Sequence, residues 1–375
     1  MDHHTALNAA AKRFPLLGRP RPDCPPLRDR IAEVTRAADD AVAQGAAGLP
    51  DAAHALNKAA LIASDGGETD LAHTLCWQHI NAYRTTNRPL TTAEAQYMLE
   101  PVLNLARLRL RAHQGEPALH LLHDMHQAIA QHTDLTIDGT VLPMANLVGD
   151  HADRRTLRTW TWLQLLGEGI RALVLAGRWN DAAHHAHTLN GVGAHLMDGR
   201  QAAIVAACLD SKLHDARTLL AEATPTQPWE VQVASCLHAM TSDPASSLTA
   251  HHLAIARRGL DQPSPGANYA SYRAKLGLTV AILTSPIDAG GAGEIVHRLA
   301  VEAIATADGY AARDVLLFRE PIDGITTDQH AALEGIVQRA GLGKGQLRPA
   351  QQQDLARVAA TSANVIQYAL NAAAP

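Results

Sequence analysis

The feature that most constrains this chain is its succession of helix-forming runs separated by short turns. Alanine supplies 71 of the 375 residues, whereas aromatic residues make up only 3%. Alanine and leucine favour helices, and the β-branched and aromatic runs that build sheets are scarce. Helical runs between about residues 28 and 371 alternate with turns rich in Gly, Pro and Asp, which predicts an all-α chain of antiparallel helical hairpins.

Three ranges are predicted along the chain. Residues 1–27 contain five prolines, which predict an extended or disordered lead-in. Residues 28–225 carry the clearest hairpin pattern, and residues 226–375 are expected to continue the array as further helical hairpins. These prolines are Pro15, Pro20, Pro22, Pro25 and Pro26.

Three hairpins share one spacing, in which a small turn residue is followed by an alanine five positions later. A large side chain at any of these alanines would push two antiparallel helices apart. The hairpin at 92–132 departs from the spacing, because Ala118 follows Gly115 by three positions. The three regular pairs are Gly67 with Ala72, Gly177 with Ala182, and Ser211 with Ala216.

This spacing, with Trp179 two residues after Gly177, resembles a degenerate form of the tetratricopeptide (TPR) repeat over about residues 51–225. The resemblance implies a right-handed superhelical array, an α-solenoid, in which the first helix of each hairpin lines a concave groove. The groove positions that it implies are Asn57, Asn104, Arg107, Arg111, Gln164, Arg171 and Gln201.

Those side chains predict a groove for a protein or peptide segment. Asn and Gln can pair with an extended backbone, and Arg can bind carboxylate groups on the partner. The leading hypothesis is therefore a non-catalytic binding scaffold or regulatory protein.

One segment interrupts the helical pattern at residues 135–143. Its β-branched residues flank Asp138-Gly139, a pair typical of a two-residue β-hairpin turn. The sequence therefore predicts a small β-hairpin insertion. Whether it is a tolerated decoration or a functional loop stays open at this point.

Composition narrows the class of partner. A formal net charge of −5 disfavours nucleic acid, because a nucleic-acid binder usually carries a basic surface. The sequence has no run long and apolar enough for a membrane span and no signal-peptide core, so we expect a cytoplasmic protein without a membrane contact. The four cysteines are widely spaced, which predicts reduced thiols rather than a disulfide framework.

Histidine-rich helices raise a competing hypothesis, an α-helical metal-dependent enzyme with a His and carboxylate site. Residues three or four apart share a helix face and can supply two ligands together. A complete ligand set does not emerge from these spacings, and neither a nucleophile elbow nor a phosphate loop is present. We therefore predict no catalytic residue, no metal and no cofactor. The His and carboxylate groups of this kind are Glu116 with His120, His123 and His126, Asp181 with His184, His185 and His187, and Glu294 with His297.

Overall fold

The structure is a computed structural model that describes residues 1–84, 86, 88–343 and 345–372. The described residues are mostly helical with one two-stranded sheet, so the predicted all-α class is confirmed. In chain order the elements are α1 (His3–Ala11), α2 (Leu27–Gln44), α3 (Leu49–Asp65), α4 (Thr69–Tyr83), α5 (Thr92–Arg111), α6 (Gly115–Gln131), β1 (Leu135–Ile137), β2 (Thr140–Leu142), α7 (His151–Leu175), α8 (Trp179–Thr188), α9 (Asp198–Leu209), α10 (Leu213–Ala221), α11 (Pro228–Met240), α12 (Ser247–Asp261), α13 (Ala270–Thr284), α14 (Ala289–Thr306), α15 (Gly309–Leu316), α16 (Thr327–Arg339) and α17 (Pro349–Ala372).

The chain forms two compact units, each built from two separate stretches of sequence. The first unit comprises Met1–Pro25 and Leu173–Ala340. The second comprises Pro26–Ala172 together with residues 341–372. This grouping differs from the predicted ranges 1–27, 28–225 and 226–375, because packing joins stretches that are far apart in sequence.

The first 25 residues belong to the first unit and contribute part of its core. Helix α1 packs against α9 and α13, and Phe14, Leu16 and Cys24 are buried. The backbone amide of Cys24 donates to the Asp308 carboxylate at 2.6 Å. The proline content predicted an extended or disordered segment here. The prolines follow α1 in an irregular stretch that is buried only in part, since Pro20 and Pro22 are exposed.

The remaining helices of the first unit mostly pack against their neighbours in sequence. Each helix from α8 to α15 contacts the helix that follows it in sequence. Some alternate helices also touch, as in the pairs α9 with α11, α11 with α13, and α13 with α15. Apolar residues on these shared faces are buried, Ala and Leu above all. Each helix thereby covers the apolar side of the next.

In the second unit, helices α2 to α6 pack successively, and α3 also contacts α5. Helix α17 then lies along α3 and touches α2, α4 and a 3-10 turn at Gly45–Gly48. Its buried face includes Leu355, Val358 and Ile366. The second unit is thus completed by a helix from the far end of the chain.

One turn geometry recurs at four hairpins. A residue with left-handed backbone ends the first helix, and the following amide donates to the carbonyl five residues earlier, at 2.8–3.0 Å. This bond satisfies a carbonyl that the end of a helix would otherwise leave unpaired. The left-handed residues are Gly67, His113, Gly177 and Ser211, with φ of 75°, 59°, 72° and 59°.

A buried alanine follows each of these residues by five positions, at Ala72, Ala118, Ala182 and Ala216. The hairpin of α5 and α6 therefore keeps the common spacing, because its turn residue is His113 and not Gly115. Ala307, with φ of 50°, and the buried Ala312 repeat the spacing between α14 and α15.

The predicted insertion is a β-hairpin. Strands β1 and β2 pair antiparallel, with Leu135 opposite Leu142 and Ile137 opposite Thr140. Asp138 and Gly139 both have positive φ, of 50° and 79°, as a two-residue turn of this kind requires. The β-hairpin prediction is confirmed.

Among the residues that the structure describes, no helix is both long enough and apolar enough to cross a membrane.

Candidate functional site

Six of the seven predicted groove residues, all but Gln201, lie in the second unit on helices α3, α5 and α7. All three helices precede a copy of the recurring turn, so they hold the same place in successive hairpins. The amide nitrogen of Asn104 donates to the Asn57 side-chain oxygen at 2.6 Å, which joins α5 to α3. Asn104 is buried, and so this pair is an internal link between two helices.

Arg107 extends the link from α5 to α7. Its Nε donates to the Glu168 carboxylate at 2.9 Å, and its Nη1 donates to the Asn104 side-chain oxygen at 3.1 Å. On α7, Arg171 Nη1 lies 3.5 Å from the other oxygen of Glu168. One carboxylate thus holds two guanidinium groups, one from each helix.

A second carboxylate, Asp65, acts in the same way at the end of α3. Arg111 Nη2 donates to Asp65 at 2.8 Å, and Arg30 Nη2 donates to its other oxygen at 2.6 Å. Arg111 also donates to the Ser64 hydroxyl. We call Arg107, Arg111 and Arg171, with Asp65 and Glu168 beneath them, the arginine seam.

The acidic and the basic side chains of the arginine seam differ in their exposure to solvent. The side chains of Asp65 and Glu168 are only 2% and 13% exposed, whereas those of Arg107, Arg111 and Arg171 are 34%, 44% and 54% exposed. Burial also raises the pKa of the nearby Glu100 carboxyl, an effect that Arg107 opposes. The seam therefore presents positive charge to the solvent and keeps its carboxylates below the surface.

The guanidinium groups keep part of their hydrogen-bonding capacity. A guanidinium carries five N–H donors in a rigid fork. The hydrogen bonds of Arg107 within the described residues come from three of its nitrogens, and those of Arg111 from two. Because each Nη bears two hydrogens, both side chains retain donors for an incoming anion.

Two of the predicted residues make none of these contacts. Gln164 is half-buried on α7. Gln201 is in the first unit and fully buried, where its amide donates to the carbonyls of Leu16 and Leu196 and accepts from the Leu16 amide. Gln201 therefore fixes the N-terminal segment, and its side chain is not available to a ligand at the seam.

The sequence did not identify Arg30, Asp65 and Glu168 as partners of the predicted arginines. One signal was present, because Glu168 precedes Arg171 by three residues and so shares its helix face. Arg30 and Asp65 are 35 residues apart and meet only through the packing of α2 on α3.

The histidine groups remain dispersed. Within the described part of the chain, no three His, Cys, Asp or Glu side chains converge as a metal site. His126 bonds to the Thr161 hydroxyl at 3.0 Å, and Glu294, beside His297, accepts from Arg257 at 2.9 Å.

The cysteines are buried and unpaired. Burial raises the pKa of the Cys76, Cys208 and Cys236 thiols to about 12, so these thiols stay protonated at neutral pH. A protonated thiol is a poor nucleophile.

These features define an α-helical protein of two units, one of which carries a surface line of arginines over buried carboxylates. No family model matches the chain, and no curated protein or solved structure matches it.

Proposed function

We propose that this protein is a non-catalytic, TPR-like binding module whose second unit captures a peptide segment bearing carboxylate groups. The observation that carries the proposal is the arginine seam, in which three half-exposed guanidinium groups lie over two buried carboxylates. The partner's carboxylates would bind the outward-facing donors of Arg107, Arg111 and Arg171.

The recurring turn supports the TPR-like part of the proposal. Four hairpins share a left-handed residue, the same closing hydrogen bond and a buried alanine five positions later. Repeated close approach of two helices is the condition for stacking hairpins into a solenoid. Contacts between alternate helices, such as α3 with α5, agree with such stacking within each unit.

Preorganisation supports the binding part of the proposal. The buried carboxylates hold the arginines in place, so a ligand does not bear the whole entropy cost of ordering these long side chains. Charge-assisted hydrogen bonds from guanidinium to carboxylate are stronger than neutral ones, with a net contribution of about 1.5–3 kcal/mol each. Two or three such bonds suit a short acidic segment of a partner protein.

The test compares two fluorescein-labelled peptides by fluorescence anisotropy, one with alternating Asp and Ser, the other with Asn in place of each Asp. The informative variants are Arg111→Gln and Arg171→Gln. Each leaves its carboxylate paired, because Asp65 keeps Arg30 and Glu168 keeps Arg107. The matched control is Arg357→Gln, an exposed arginine on α17 that is paired to Asp354.

We expect the acidic peptide to bind more tightly than its amide counterpart. Each seam variant should weaken that binding about tenfold or more, and added salt should weaken it further. Equal affinity for the two peptides, or an equal loss in Arg357→Gln, would refute the assignment of the seam as the binding site.

A further inference from the structure

A second surface of this unit has different chemistry. Residues of α4 and α17 line a shallow, open groove of about 590 Å³. Its polar lining comes from His73, Thr74, Trp77 and the four amide side chains Gln78, Asn81, Asn364 and Gln367. Within the described part of the chain, no Lys, Arg, Asp or Glu side chain lines this groove, in contrast to the arginine seam.

The side-chain amides of this groove are the first observation that points to a ligand. In the described residues, the amides of Gln78, Asn364 and Gln367 have no hydrogen-bond partner, and the Asn81 oxygen accepts from Arg84 at 3.2 Å. A primary amide offers two donors and an acceptor side by side. Such a set matches a ligand with closely spaced hydroxyl groups, each of which both donates and accepts.

The second observation is an aromatic residue held in place within the groove. Trp77 is half-buried, and its ring makes an edge contact with His73 at a centroid distance of 6.5 Å. His73 Nε2 lies 3.4 Å from the Asp138 carboxylate at the turn of the β-hairpin, and Arg109 donates to the same carboxylate at 2.7 Å. The insertion therefore braces one end of the groove.

We infer that the groove binds a neutral oligosaccharide. Among the described residues, the one ionisable side chain of the lining is His73, and its Nε2 lies 3.4 Å from the Asp138 carboxylate. The groove therefore offers no unpaired counter-charge for a phosphate, a carboxylate or an amine, so a charged ligand would lose hydration without compensation. Ala82 and Ala363 complete the lining and leave no deep pocket for a peptide side chain. A pyranose ring needs neither a counter-charge nor a deep pocket. Its apolar C–H face packs on an indole, and its hydroxyls bond to amides.

This site is independent of the proposed peptide function, because its residues and ligand chemistry are different. The test uses saturation-transfer NMR and calorimetry on the full chain, with cellotetraose, maltotetraose and chitotetraose as probes. The variants are Gln367→Ala and Trp77→Leu. Gln353→Ala, an exposed glutamine elsewhere on α17, is the matched control.

We expect at least one tetrasaccharide to bind at millimolar concentration or better, with little effect of salt. Gln367→Ala and Trp77→Leu should each weaken binding about fivefold, the effect of losing one net hydrogen bond or one aromatic contact. Gln353→Ala should bind as the wild type does. Gln367 is only half-buried and makes no side-chain hydrogen bond within the described residues, so its variant remains informative if Trp77→Leu does not fold.

Three results would overturn the inference. The first is that none of the three probes binds. The second is that the groove variants and the control bind equally well. The third is that a neutral Gly-Ser peptide binds with the same dependence on Gln367 and Trp77, which would assign the groove to a peptide backbone.

Discussion

Replacing His79 by leucine should make the second unit less sensitive to acid. His79 lies on α4 and is fully buried, and neither of its ring nitrogens has a hydrogen-bond partner among the described residues. Its ring lies at a centroid distance of 5.9 Å from that of Tyr83. Burial lowers the pKa of His79 to about 3, because the charged imidazolium would lose its hydration.

The sign of the effect follows from the direction of this change. The folded-state pKa of His79 lies below its unfolded value, so the unfolded chain binds the proton more tightly. The stabilising contribution is fully present above about pH 6.5 and is lost as the pH falls toward about 3. The whole difference corresponds to at most about 5 kcal/mol, of which about 2 kcal/mol is lost between pH 7 and pH 5.

The assay is urea-dependent hydrogen exchange of peptides from α4, which reports the opening of the second unit alone. Wild type and His79→Leu are compared at the same pH, so the intrinsic exchange chemistry cancels. At pH 7 the variant should be more stable by about 1–3 kcal/mol, because an unpaired buried polar group is replaced by an apolar one of similar size. At pH 5 its advantage should grow by about 2 kcal/mol.

Other histidines stay in both proteins, including His126, whose pKa burial also lowers. Their contributions cancel in the comparison. His54→Gln, at an exposed position on α3, controls for the loss of an imidazole. If wild type and His79→Leu lose equal stability between pH 7 and pH 5, the buried unpaired imidazole is not the acid-sensitive group.

Two further predictions concern packing. Gln201→Leu should destabilise the first unit by about 3 kcal/mol, because the buried amide and carbonyl of Leu16 lose their partner; exchange of the Leu16 amide should accelerate, and an unchanged rate would contradict this role. Ala182→Leu should cost about 1–3 kcal/mol through overpacking at the recurring turn, measured by urea unfolding. Its control is Ala176→Leu, at an exposed position, and equal losses in the two variants would argue against a close approach at Ala182.

Local features of the fold could be predicted from the sequence, and irregular ones could not. The β-hairpin turn and the turns at Gly67 and Gly177 were predictable, because Gly and Asp-Gly favour positive φ. The turn at His113 was not, since the sequence does not mark a histidine that adopts a left-handed backbone. Its register became clear only from the hydrogen bond between the Gln114 amide and the Arg109 carbonyl.

The candidate site, too, could be predicted from the sequence only in part. Helical periodicity placed Asn104, Arg107 and Arg111 on one stripe of α5. The periodicity of one helix cannot show which residues lie across from it, so Asp65 and Glu168 were not predicted as partners. Gln201 was assigned to the groove by extending one register along the chain, whereas its partner Leu16 is 185 residues away in sequence.

The return of α17 onto α2, α3 and α4 has a consequence for how the chain is made. During synthesis, α2 begins to leave the ribosome more than 300 residues before α17 is complete. Until then the apolar faces that α17 covers remain open, and they are open to chaperones and to wrong partners. The first 25 residues cannot pack into the first unit early, because the helices they contact are translated much later. Each unit needs two stretches of chain that are synthesised far apart in time, so neither can fold fully until its later stretch has been made. We therefore expect slow, late folding that is governed by long-range contacts.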